Sequence, residues 1–222
     1  MQGTPSAAHS AHSSTRSRRA GRRMRWVLAG LVSVWFLLMR QFGGADMYSV
    51  LGPYALAVST VLWLLRPHAI ARWLAPSTRV VVVGLLVGLA MTLATYPAYR
   101  LAAGLIPGLE QQVSALYRSA STAPLHVELA WVCVIIVAEE LLWRGALLEA
   151  LERKTSLAVA WSVCIGSYAL AQLGTGAWVL GAIAAVCGLI WTVERKLTDS
   201  VLAPLISHLI WTPTVILLHP VM

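Results

Sequence analysis

Apolar residues fill seven stretches of this chain, parted by short polar breaks: Trp26–Met39, Tyr48–Leu65, Val80–Tyr99, Leu129–Leu151, Ser156–Leu173, Ala177–Val193 and Val201–Leu218. Most come close to the roughly 20 residues that a helix needs to cross a bilayer. The pattern predicts an all-α fold, a polytopic transmembrane helix bundle of about seven spans. The first stretch is the short one, rising only about 21 Å at the helical pitch. With its arginine-rich flank it has the look of a signal peptide. No small-residue cleavage site follows, since RQFGGAD begins with Arg40, so the expectation is a retained, short or interfacial helix.

Composition agrees with the pattern. The 222 residues are 58% hydrophobic and 12% charged, against about 25% charged in soluble domains, which excludes a soluble enzyme and leaves no room for a soluble catalytic domain. Residues 1–25 combine Ser, Ala, Gly and His with six arginines and no acid, a composition that reads as a disordered basic tail. Anionic lipid headgroups are the partner expected for it, and no nucleic acid. Residues 26–123 follow as the N-terminal transmembrane helices with one long connection, Arg100 to Leu125, expected to carry an interfacial helix. Residues 124–222 form the remaining bundle.

The net charge of +8 is accounted for by orientation. With the N-terminus cytoplasmic, the inner segments hold the six tail arginines and Arg66, Arg72, Arg79, Arg153, Lys154, Arg195 and Lys196, whereas the outer segments hold Arg40, Arg100 and Arg118. That is the asymmetry of the positive-inside rule. Cys133, Cys164 and Cys187 lie in apolar runs at spacings that match no CxxC or zinc pattern, and read as small packing residues. Gly84 and Gly88 form a GxxxG pattern, read as close helix packing.

Polar residues inside such runs carry the chemistry. In AEELLWRG, Glu139, Glu140 and Arg144 would oppose insertion by about 8–10 kcal/mol if unpaired, at about 2.5–3.5 kcal/mol each. Glu140 and Arg144, four apart, share a helix face and can pair. Glu139 is turned about 100° away and lacks that partner, the setting in which a carboxylate serves as a general base. Two later runs repeat the spacing: Tyr168 with Gln172, and His208 with Thr212. Singly, each pair is ordinary interhelical hydrogen-bonding material. Three polar faces on three helices imply a common intramembrane site.

These residues resemble the CPBP intramembrane proteases, which include the CAAX prenyl endopeptidases and bacteriocin-processing homologues, marked by EExxxR, FxxxH and HxxxN (or Asp) on successive helices. EELLWR, Glu139 to Arg144, matches the first motif in full. YALAQ stands for the second, with Tyr168 for Phe and Gln172 for His; HLIWT stands for the third, with His208 kept and Thr212 for Asn. The resemblance covers residues 124–218 and implies an integral protein of a bacterial or archaeal cell membrane. It implies that Glu139 and the second-motif residue activate a water, that His208 and Thr212 stabilise the oxyanion, and that Glu140 and Arg144 brace the site. Gln172 cannot take up a proton near neutrality, and Thr212 offers a hydroxyl where the family has an amide.

Neither HExxH nor a Cys/His ligand set occurs, so the expected chemistry uses no metal and no cofactor. The expected substrate is a hydrophobic or lipidated peptide or a C-terminal sorting anchor. The alternative is a catalytically inactive homologue that acts as a membrane binding, sorting or immunity factor.

Overall fold

The structure, a computed structural model, describes residues 7–43, 47–120 and 123–222. Among them every regular element is a helix: α1 (Ala7–Phe42), α2 (Met47–Leu65), α3 (Pro67–Trp73), α4 (Thr78–Leu105), α5 (Leu109–Ala120), α6 (Leu125–Glu139), a π-helical segment (Glu140–Leu147), α7 (Leu148–Glu152), α8 (Leu157–Leu173), α9 (Trp178–Thr198), α10 (Leu202–Pro213) and a second π-helical segment (Thr214–Leu218). Among the described residues, four helical stretches are long and apolar enough to cross a membrane: Arg23–Phe42, Met47–Leu65, Thr78–Leu105 and Trp178–Thr198. Leu157–Leu173 and Leu202–Leu218 are apolar but shorter.

Two expectations need correction at the N-terminus. Helix α1 continues back to Ala7, through most of the segment 1–25 expected to be disordered; residues 1–6 lie outside the described residues. Ala and Arg favour helix and no proline interrupts residues 7–42, so the turn begun in the apolar stretch has no local reason to stop. The same extension turns the supposedly short first stretch into a spanning-length helix of 20 residues, Arg23–Phe42. The helix expected in the long connection is α5.

Local rules set the other ends. Ser77 accepts from the Val80 amide and caps α4, and Ser156 does the same for α8 through Val159. Pro67 sits in the first turn of α3, where its missing N–H costs nothing. Asp199, at φ 51°, adopts the left-handed conformation that closes α9.

A row of aromatic rings runs across the middle of the bundle. Tyr54 on α2 meets Trp35 on α1 edge to face at 5.8 Å, Trp35 meets Trp143 at 5.2 Å, Trp143 meets Tyr168 on α8 at 5.2 Å, and Tyr168 meets Trp191 on α9 at 6.2 Å. Trp191 ends the row against Trp211 at 6.0 Å and His208, both on α10. These separations lie in the range where aromatic pairs attract beyond their burial.

Close backbone approach completes the packing. A Cβ on Gly84 would lie 2.8 Å from the Ala203 carbonyl oxygen, and one on Gly88 would lie 2.9 Å from the Ser207 Cα. The GxxxG pair is therefore the groove in which α10 rests on α4. At one end of the bundle Glu149 gathers Arg66, Arg72, Arg153 and the Trp73 indole N–H. The Trp73 carbonyl accepts from Ser200 Oγ at 2.8 Å and from the Val201 amide at 3.0 Å. These ties bind α3 to α7 and to the start of α10.

Gly84→Ala and Gly88→Ala should each lower stability by ~1–3 kcal/mol through overpacking against backbone. Gly30→Ala and Gly104→Ala, whose Cβ positions are open, should not destabilise. Apparent Tm in detergent micelles measures the difference.

Candidate active site

The charged motif forms where the helix loosens. Glu139 is the last residue of α6, and Glu140 to Leu147 follow as π-helix, a geometry concentrated at functional sites. Glu139, Glu140 and Arg144 are all buried, Glu140 completely so. The two carboxylates point to different neighbours.

Glu139 faces α8. Tyr168 Oη donates to its Oε2 at 3.0 Å, and Gln172 Nε2 donates to its Oε1 at 2.7 Å. The four-residue spacing of Tyr168 and Gln172 is what lets both reach one carboxylate. His208 Nε2, from α10, lies 3.8 Å from Glu139 Oε2.

Glu140 faces the other side of the motif. Its Oε1 is 2.9 Å from His208 Nδ1 and 3.4 Å from Arg144 Nη1. The Arg144 contact is an ion pair without hydrogen-bond alignment, and Arg144 Nη1 and Nε and Glu140 Oε2 have no protein hydrogen-bond partner. The guanidinium instead lies over two rings, 4.3 Å from the centre of Tyr168 and 5.1 Å from that of Trp191. Such cation–π contacts gain strength when desolvated. Trp191 also stacks on the His208 imidazole, with centroids 3.6 Å apart and planes 21° off parallel.

A largely apolar cavity of about 550 Å³ opens beside these groups. Glu139, Gln172, His208 and Thr212 line it; Glu140 and Arg144 do not. It extends to Leu109, Val113 and Tyr117 on α5, at the end of the bundle away from Glu149. The structure thus brings all six expected residues into one region but divides them, four at the cavity wall and two behind it. Thr212 Oγ1 is buried and has no hydrogen-bond partner.

Three participants escaped the sequence reading as site residues. Tyr168 was read as sharing a polar face with Gln172 and as the counterpart of the family's Phe but was given no role of its own, and its hydroxyl donates to Glu139. Trp191 carried no signal, because its role depends on α9 lying between α8 and α10. Glu194 sits in VERK, which reads as a solvated helix end, yet it is buried and accepts from Ser207 Oγ at 2.7 Å. Among the described residues, no group of three His, Cys, Asp or Glu side chains is arranged to hold a metal ion.

The site is thus a buried carboxylate at the wall of an apolar cavity, with a second buried carboxylate behind it, in an all-helical bundle. Residues 121–213 match the family model for type II CAAX prenyl endopeptidase, Rce1-like. The match covers the charged motif, its α8 partners and the His208 helix, and it supports membership of the CPBP family. The matched part of the chain is similar to that family, and the apolar helices together with the match suggest an integral membrane protein. Among curated proteins, and among solved structures, nothing matches the chain.

Arg144→Met removes the only cation paired with Glu140 among the described residues, and should destabilise the fold by ~3–5 kcal/mol. Adding Glu140→Gln should restore part of that loss, because no uncompensated charge then remains. Unfolding of the two single variants and the double in detergent measures the coupling.

Proposed function

We propose that this chain is a glutamic-type intramembrane endopeptidase, which hydrolyses a peptide bond near the membrane surface with a water activated by Glu139. The observation that carries this reading is the position of Glu139: a buried carboxylate at the wall of a 550 Å³ apolar cavity, with Gln172, His208 and Thr212 beside it. An apolar cavity with a few convergent polar groups is the ordinary form of a site that takes an apolar ligand. The substrate is a hydrophobic or lipidated peptide or a C-terminal sorting anchor, seated with its scissile carbonyl near Glu139.

In this reading Tyr168 and Gln172 hold the carboxylate in one orientation, so that a lone pair of Oε2 remains for water. The Thr212 hydroxyl, which has no protein hydrogen-bond partner, donates to the oxyanion; losing one such donor typically costs about 10²–10³ in rate. Glu140 and Arg144 brace the site from behind. With the N-terminus cytoplasmic, the cavity opens toward the outer face and the products are released there. The tail arginines meet anionic headgroups on the inner face.

A second reading has its own support. Gln172 spends its amide on Glu139 and cannot accept a proton, so the second-motif role is vacant. A catalytically inactive homologue would bind the same peptides without cutting them.

Co-expression in membranes with tagged candidate substrates separates the two. Wild type should yield product, and Glu139→Ala should abolish it while the protein still inserts; product that persists in that variant would overturn the glutamate mechanism. Product from Gln172→His alone would establish the inactive homologue.

A further inference from the structure

We propose that residues 219–222 form a strap across the α5 end of the cavity, and that this strap must swing away before an apolar chain can enter. The inference takes from the protease reading only the identity of what enters; the strap itself rests on contacts outside the charged motif. Val221 lines the cavity together with Leu109, Val113 and Tyr117 of α5. It packs on the small cluster in which Leu109 and Val113 bury against Val179 of α9. Met222, one residue on, lies beside Glu110, Gln111, Ser114 and Arg118, on the polar side of α5. The strap therefore passes from the cavity wall to the exposed side of the helix that lies over the cavity.

Tyrosine hydroxyls hold it in place. The Val221 amide donates to Tyr117 Oη at 3.1 Å, and that hydroxyl in turn donates to the Val215 carbonyl at 2.9 Å. Tyr96 Oη, from α4, donates to the His219 carbonyl at 2.8 Å. One hydroxyl, that of Tyr117, thus ties the strap, α5 and the second π-helical segment together. His219, Pro220 and Met222 are exposed and Val221 is half-buried, so the strap sets one side chain against the apolar cluster. A segment with so little buried surface opens locally at far lower cost than the bundle unfolds.

The hinge is built into the end of α10. Pro213 has no N–H to give the preceding turn, and Thr214–Leu218 follow as π-helix, a geometry at which helices bend. The His219 amide donates to the Thr214 carbonyl at 2.7 Å and closes that wide turn. Pro220, next in the chain, has no amide with which to continue it. Motion of residues 219–222 about this segment leaves α10 in its glycine groove on α4, and His208 with it. Opening the strap changes access to the site without rebuilding the site.

Two native cysteines can read the outcome. Cys187 lines the cavity, whereas Cys164 is buried and does not line it. In the full-length protein in detergent micelles, modification of each by N-ethylmaleimide is followed over time by peptide mass mapping. Tyr117→Phe removes both bonds of that hydroxyl and keeps the ring. It should speed modification of Cys187 about tenfold, as expected for the loss of two ordinary hydrogen bonds, and leave Cys164 unchanged. Tyr96→Phe should speed Cys187 less, and the double variant more than either. An unchanged Cys187 rate in Tyr117→Phe would overturn the proposal. So would a parental rate in Tyr96→Phe with Tyr117→Phe fast, which would make α5 the moving part, and so would Cys164 keeping pace with Cys187, the mark of a loosened bundle. The readout uses no substrate: a working strap without cleavage of any candidate would sink the protease reading alone, and cleavage with Cys187 unaffected would sink the strap alone.

Discussion

Burying two adjacent carboxylates and one arginine in an apolar bundle is the constraint on which the rest of this structure depends. Away from water each charge must find partners among protein groups, and a single helix can supply only the pair four residues apart. The other partners come from elsewhere in the chain: a hydroxyl and an amide from α8, an imidazole from α10, and ring faces from α8 and α9. Four segments are thereby committed to one another around three side chains.

The result is a division of labour between neighbouring residues. Glu139 and Glu140 differ by one position, yet one lines the cavity and the other is sealed against Arg144 and His208. His208 touches both, with one ring nitrogen toward each carboxylate. The aromatic row serves the same end, because Tyr168 and Trp191 are at once core residues and the faces on which Arg144 and His208 rest. Packing and chemistry are carried here by the same atoms, so a change made for one is felt by the other.

The ends of the bundle are built differently. Around Glu149, three arginines and an indole N–H converge on one carboxylate, and the Trp73 carbonyl ties down the start of α10. The opposite end is looser, with α5 lying over the cavity and Tyr117 Oη donating to the Val215 carbonyl at 2.9 Å. The glycine groove on α4 holds α10 between these ends and so fixes the depth of His208. A closed end, a fixed helix and an open cavity together keep the polar groups of the site in register beside an apolar space.

By itself the sequence determined what local physics governs. Apolar runs near bilayer length dictated helices, serine and proline placed several of their starts, GxxxG marked a close contact, and four-residue spacings put Glu140 with Arg144 and Tyr168 with Gln172. The continuation of α1 to Ala7 was missed, because polar arginines and serines look like disorder until a neighbouring helix extends through them. Only the tertiary structure decided who meets whom. That Tyr168 and Gln172 converge on Glu139, that His208 bridges both carboxylates, that Trp191 slots between Arg144 and His208, and that Glu194 is buried against Ser207 all depend on which helix faces which. Periodicity tells a residue's face on its own helix, while the partner of that face is chosen by the packing of the whole bundle.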